Sequence, residues 1–134
     1  MSLEQDLWYR QGIKNNWSRV QATIVAQLHT LDPGFLLHFN VTAIFQIKED
    51  GMEGIQISTR QRGKGINFQV LYNSGSDTYE VRAYAISHQG KVEKIYESKE
   101  AHVEGLIDSL NSALGRRTVY ETPFFHRIEK ERIL

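Results

Sequence analysis

The run Arg60-Gln61-Arg62-Gly63-Lys64-Gly65 has a superficial likeness to a phosphate-gripping loop. A phosphate-gripping loop requires G-x-x-x-x-G-K-[ST] between a strand and a helix, because its backbone N–H groups must open onto a helix N-terminus. Here the alternating residues Ile66, Phe68, Val70 and Tyr72 follow, so the run reads as a β-hairpin tip. A solvated tip of this kind guards a sheet edge with its lysine and arginines. Its other use is contact with a phosphate backbone or an acidic partner.

Little else in the chain suggests reaction chemistry. The histidines His29, His38, His88, His102 and His126 have no partner at the i,i+4 spacing of a helical metal site, and no H-E-x-x-H run occurs. Cysteine is absent, which excludes disulfides, thiolate zinc sites and cysteine nucleophiles. No serine sits in a G-x-S-x-G elbow. Glu49, Asp50 and Glu53 lack the alternating oxygen ligands of a calcium loop, and Asp77 and Glu80 flank a turn where water solvates them. No catalytic residue, metal or cofactor is expected. His38, placed by alternation on a sheet face away from the core, is the sole candidate acid–base group for an enzyme.

The chain has 134 residues, enough for one domain with a real core, and its 40% hydrophobic and 24% charged composition is that of an ordinary globular protein. Sixteen basic residues balance sixteen acidic ones. No global field therefore favours nucleic acid or an anionic membrane surface, and self-association meets no electrostatic barrier. The opening residues Met1 to Asp6 lack the basic-then-apolar layout of a secretory signal, and no run approaches membrane-spanning length. The sequons Asn16-Trp17-Ser18 and Asn40-Val41-Thr42 have no use without export, so the cytoplasm is the expected compartment.

These groups must be positioned by a few regular elements. Leu3 and Leu7, then Trp17, Val20, Ile24, Leu28 and Leu31, recur at helical spacing. Gly12 and Asn15-Asn16 predict a break, with Asn15 or Asn16 capping a second helix that Asp32-Pro33-Gly34 ends. Phe35, Leu37, Phe39, Val41, Ala43, Phe45 and Ile47 are apolar at every odd position, which predicts one long strand with these residues buried. Asp50-Gly51 turns it onto Ile55, Ile57 and Thr59, and Gly63-Lys64-Gly65 turns again. After the Asn73–Asp77 loop, Tyr79 to Ala85 alternate, and Gln89-Gly90 leads into a strand near Val92 to Tyr96. Val103, Leu106, Ile107, Leu110 and Leu114 predict a closing helix capped by Ser98 and ended by Gly115.

The expected fold is α+β: a five-stranded, mostly antiparallel meander with N- and C-terminal helices on one face, in a single domain over 1–115. The segment 116–134 forms a tail whose Tyr120, Phe124, Phe125 and Ile128 need apolar cover, from the domain itself or from a neighbouring subunit. The uncovered sheet face collects His38, Asn40, Thr42, Ile44, Gln46, Gln56, Ser58, Arg60, Asn67, Gln69, Leu71, Glu80, Arg82, Tyr84 and Ile86, rich in amides and poor in acids. That composition suits a buried contact with another protein or with single-stranded nucleic acid. The expected function is therefore a small non-catalytic interaction protein that binds a protein partner or itself. Its alternative is a single-strand-binding module, with Arg60, Arg62, Lys64, Arg82, Tyr84 and His38 as contact residues.

Overall fold

The computed structural model describes residues 17–115. The helical stripe at Leu3 and Leu7 and the segment 116–134, with its four large apolar side chains, lie outside the described residues. Within them the fold is α+β, and its first element, α1 (Arg19–Leu31), starts at Ser18. The Gln21 N–H donates to Ser18 Oγ at 3.2 Å while the Ser18 N–H donates to Gln21 Oε1 at 3.0 Å, a reciprocal capping box. The cap is thus Ser18, not Asn15 or Asn16: its hydroxyl and the Gln21 side chain three residues on each satisfy the other's backbone N–H. Gln21 has a second task, since its Nε2 donates to the Gly54 carbonyl at 3.1 Å and ties the start of the helix to the sheet.

Five antiparallel strands follow in sequence order: β1 (Val41–Glu49), β2 (Met52–Gln61), β3 (Lys64–Asn73), β4 (Thr78–Ile86) and β5 (Val92–Ala101). Short turns allow only antiparallel neighbours, so the meander follows directly from the turn residues. Asp50-Gly51 and Arg62-Gly63 both have positive φ at two successive positions, the geometry that matches the twist of paired strands. The second of these turns lies one residue earlier than Gly63-Lys64-Gly65, because Lys64 and Gly65 already pair with Gln61 and Arg60.

The core lies between the helices and one face of this sheet. Ile24 and Leu28 of α1 meet Ile55, Ile57, Phe68, Val70, Val81 and Ala83, with Leu106 and Leu110 closing the other side. These last two belong to α3 (Leu106–Ala113), which a 3-10 turn over Val103–Gly105 precedes. Ser98 does not cap this helix; it pairs with Val81 inside β5. Gly115, at φ +74°, follows α3 in the left-handed conformation expected of a helix-ending glycine.

The long strand expected over 35–47 is the main correction. Phe35–His38 form a single helical turn, α2, and only Val41 onward is strand. Residues 35 and 39 fit a period of two and an i,i+4 helical pair equally well, and both rings are buried; Leu37, 81% exposed, separates the two readings. Asp32 favours the helical turn by accepting from the Gly34 N–H at 3.1 Å and holding His38 Nδ1 at 2.9 Å. Asn40, at φ +51°, then swings the chain into β1, where a bulge between Val41 and Ala43 resets the register. One residue of slip inverts every side chain. Ile44 therefore faces the core beside Ile57, while Phe45 lies on the outer face, opposite Gln56, and is 50% exposed.

Candidate anion-binding groove

A meander sends alternate hairpins to opposite ends of its sheet, and in this chain the hairpins alternate in charge. The β1–β2 and β3–β4 tips carry Glu49, Asp50, Glu53 and Asp77, with Lys48 paired to Glu53; the β2–β3 and β4–β5 tips carry Arg60, Arg62, Lys64, His88 and Lys91, with Glu93 beside them. The zero net charge of the chain thus hides an acidic end and a basic end. Charges separated along strands of this length are about 30 Å apart, beyond a Debye length of ~8 Å, so the two ends act independently on a charged ligand.

At the basic end the two hairpins border an open groove of about 900 Å³. Arg60, Lys64 and Gly63 form one rim, and Ser87, His88, Gln89 and Lys91 form the other, with Asn67 and Ile86 on the strands between them and Thr42 and Ser58 also lining the groove. Each rim is held by its own backbone. Arg60 Nη1 donates to the Gly63 carbonyl at 3.2 Å, and the Asn40 side-chain amide donates to the Arg60 carbonyl at 2.9 Å. Across the groove the Lys91 N–H donates to Ser87 Oγ at 3.0 Å, and the Gly90 N–H donates to the Ser87 carbonyl at 2.9 Å. The β1 bulge that reversed Phe45 also brings Thr42 to the groove, its hydroxyl donating to the Ser58 carbonyl at 3.2 Å.

Among the described residues none of Arg60, Arg62, Lys64 and Lys91 is ion-paired, and Glu93 is the one carboxylate lining the groove. Arg82 behaves in the opposite way. It binds Glu80 and, at 2.7 Å, Asp50, with Glu97 at 3.8 Å, and its side chain is largely buried. Burial works against the guanidinium charge, but the hydrogen bonds to Asp50 and Glu80 outweigh it and raise the Arg82 pKa above its ordinary value. Its donors are already committed, so it has little left for a ligand.

The sequence-derived candidates therefore separate. Arg60 and Lys64 line the groove, with Arg62 at the tip of the same hairpin; Tyr84 does not line it but pairs across the strands with Asn67, which does. Arg82 sits one row further toward the acidic end, opposite Gln69. His38 is in α2 rather than on the sheet, paired to Asp32. Sequence reasoning missed His88 and Lys91 as members of the same site. The signal was present: hairpin tips two apart in a meander share an end, and these two are both basic.

Among the described residues no group of three or more histidines and carboxylates gathers as a metal site, and no helix is long and apolar enough to cross a membrane. No family model, no curated protein and no solved structure matches the chain.

Proposed function

We propose that this chain is a cytoplasmic, non-catalytic binding module whose ligand is an extended polyanion held at the basic end of the sheet. The observation that carries the reading is the convergence of Arg60, Lys64 and Lys91, none of them ion-paired among the described residues, on one groove from two separate hairpins. Cations that only kept the protein soluble would be interspersed evenly with acids; among the residues that line this groove Glu93 is the one carboxylate.

Arg62 supports the same reading. It occupies a left-handed position at φ +52°, where a side chain with a Cβ costs about 1–2 kcal/mol and asparagine or glycine is preferred. An arginine at the tip of this hairpin would add its charge to those of Arg60 and Lys64 on the same rim. Arg62→Asn is expected to raise stability in urea denaturation by about 0.5–1 kcal/mol and to weaken polyanion binding. A variant that loses stability, or gains it with binding unchanged, counts against a role for this residue.

The direct test is a salt titration. Binding of a single-stranded oligonucleotide should weaken with salt at a slope of roughly −0.7 per phosphate contacted, between −2 and −3 for three or four cations. Reversing Arg60, Arg62 and Lys64 to glutamate should abolish it. If neither oligonucleotides nor polyphosphate bind at low salt, the proposal is wrong.

A second reading, an accessory protein that associates with itself, draws on Val92, 59% exposed, and Ile95 on the edge strand β5. A stable pair should bury at least about 1,000 Å² in total. Sedimentation of the full chain at micromolar concentration decides it; a monomer removes this reading and leaves the groove proposal standing.

A further inference from the structure

We infer that the polyanion is a single-stranded nucleic acid, whose phosphates lie on the groove rims and whose bases turn onto Tyr84. This rests on the polyanion reading and adds what the rims alone do not specify. A ligand recognised only by charge needs only cations. The groove is also lined by Ser58, Asn67 and Thr42, neutral polar groups, beside the apolar side chain of Ile86. Tyr84 is opposite Asn67 in the β3–β4 register, with Cβ atoms about 5 Å apart in such a pair, and two residues before Ile86 on the same face. It is partly exposed. Its ring thus stands one row of side chains from the lining residues Asn67 and Ile86, within reach of an unpaired base whose phosphate is held at the rim. Such a base can stack on it.

Geometry favours one strand over two. The rims belong to β2–β3 and β4–β5, so their outermost strands are three strand spacings, about 14 Å, apart. A duplex keeps its base faces stacked inside and offers Tyr84 none of them, whereas a single strand exposes every base face. An acidic peptide is the competing occupant. It would use the cations but draws no benefit from an aromatic platform.

The experiment is a fluorescence-anisotropy titration of the full chain with four probes: a labelled oligothymidine, an abasic oligomer with the same number of phosphates, a duplex of equal length and, as competitor, polyphosphate. Oligothymidine should bind about ten-fold or more tightly than the abasic oligomer, as expected for a stacked base, and more tightly than the duplex. Tyr84→Leu keeps apolar cover on the sheet and removes the π-face. It should abolish most of the preference for oligothymidine and leave abasic binding within about two-fold. Equal binding of the oligothymidine and abasic probes by the unaltered chain overturns the inference, as does a Tyr84→Leu protein that folds and keeps the full preference. In both cases a retained affinity for polyphosphate keeps the polyanion reading. Binding of none of the probes removes both.

Discussion

Replacing Phe39 with alanine is expected to lower the unfolding free energy by about 3–5 kcal/mol, whereas the same change at Phe45 should cost about 1 kcal/mol or less. In the sequence the two phenylalanines look alike, six residues apart on the same alternating stripe. In the fold Phe39 is 1% exposed; its ring centroid lies 4.9 Å from that of Phe35, and it meets Phe68 edge-on at 6.3 Å. Alanine there leaves a cavity framed by two rings that hold their positions from different elements, α2 and β3, and cannot both collapse into it. Phe45 projects from the outer face and keeps half its surface in water, so much of the transfer free energy was never gained. Urea denaturation of both variants with matched m-values measures the contrast. Equal losses would mean that residues 35–47 form one strand with its odd face inward after all.

Gly54→Ala should be comparably damaging, at about 3 kcal/mol or more, although it adds only a methyl group. A Cβ at this position would overlap the Val70 carbonyl oxygen and lie 2.8 Å from Leu71 Cα, so the new atom meets backbone of the neighbouring strand rather than a side chain that can rotate away. Relief requires β2 and β3 to separate where Gly54 pairs with Leu71, at the point where Gln21 anchors α1 on the Gly54 carbonyl. Overpacking a filled core costs about 1–3 kcal/mol even when side chains yield, and here hydrogen bonds of the ladder and the anchor are lost as well. Thermal unfolding compared with Gly65→Ala is the control. At Gly65 the nearest atoms to a Cβ are Ile86 side-chain carbons at 3.7 and 3.9 Å, ordinary packing distances. A Gly54→Ala protein as stable as the Gly65→Ala protein would contradict the close approach.

Much of this molecule follows from chemistry between residues that are neighbours in the chain. Asp50-Gly51 and Gly63 mark tight turns because positive φ is tolerable at those residues, and tight turns between alternating runs leave an antiparallel meander as the simplest pairing. The stripes Ile24–Leu28 and Leu106–Leu110 needed only a helical period to reveal their buried faces. The cationic hairpin at 60–64 was legible for the same reason: its members are neighbours in the chain.

What the tertiary structure decided is everything that depends on a count carried across an irregular residue or on residues distant in the chain. The left-handed Asn40 and the bulge after Val41 shift β1 by one position, and since side chains alternate with a period of two, that shift moved Ile44 inward and Phe45 outward. Periodicity alone carries no information about such a slip. The neutral sum of charges was likewise silent about their distribution. Only the folded meander, by returning every second hairpin to the same end, sets Arg60 and Lys64 across a groove from Lys91, with Glu93 the one carboxylate among the lining residues.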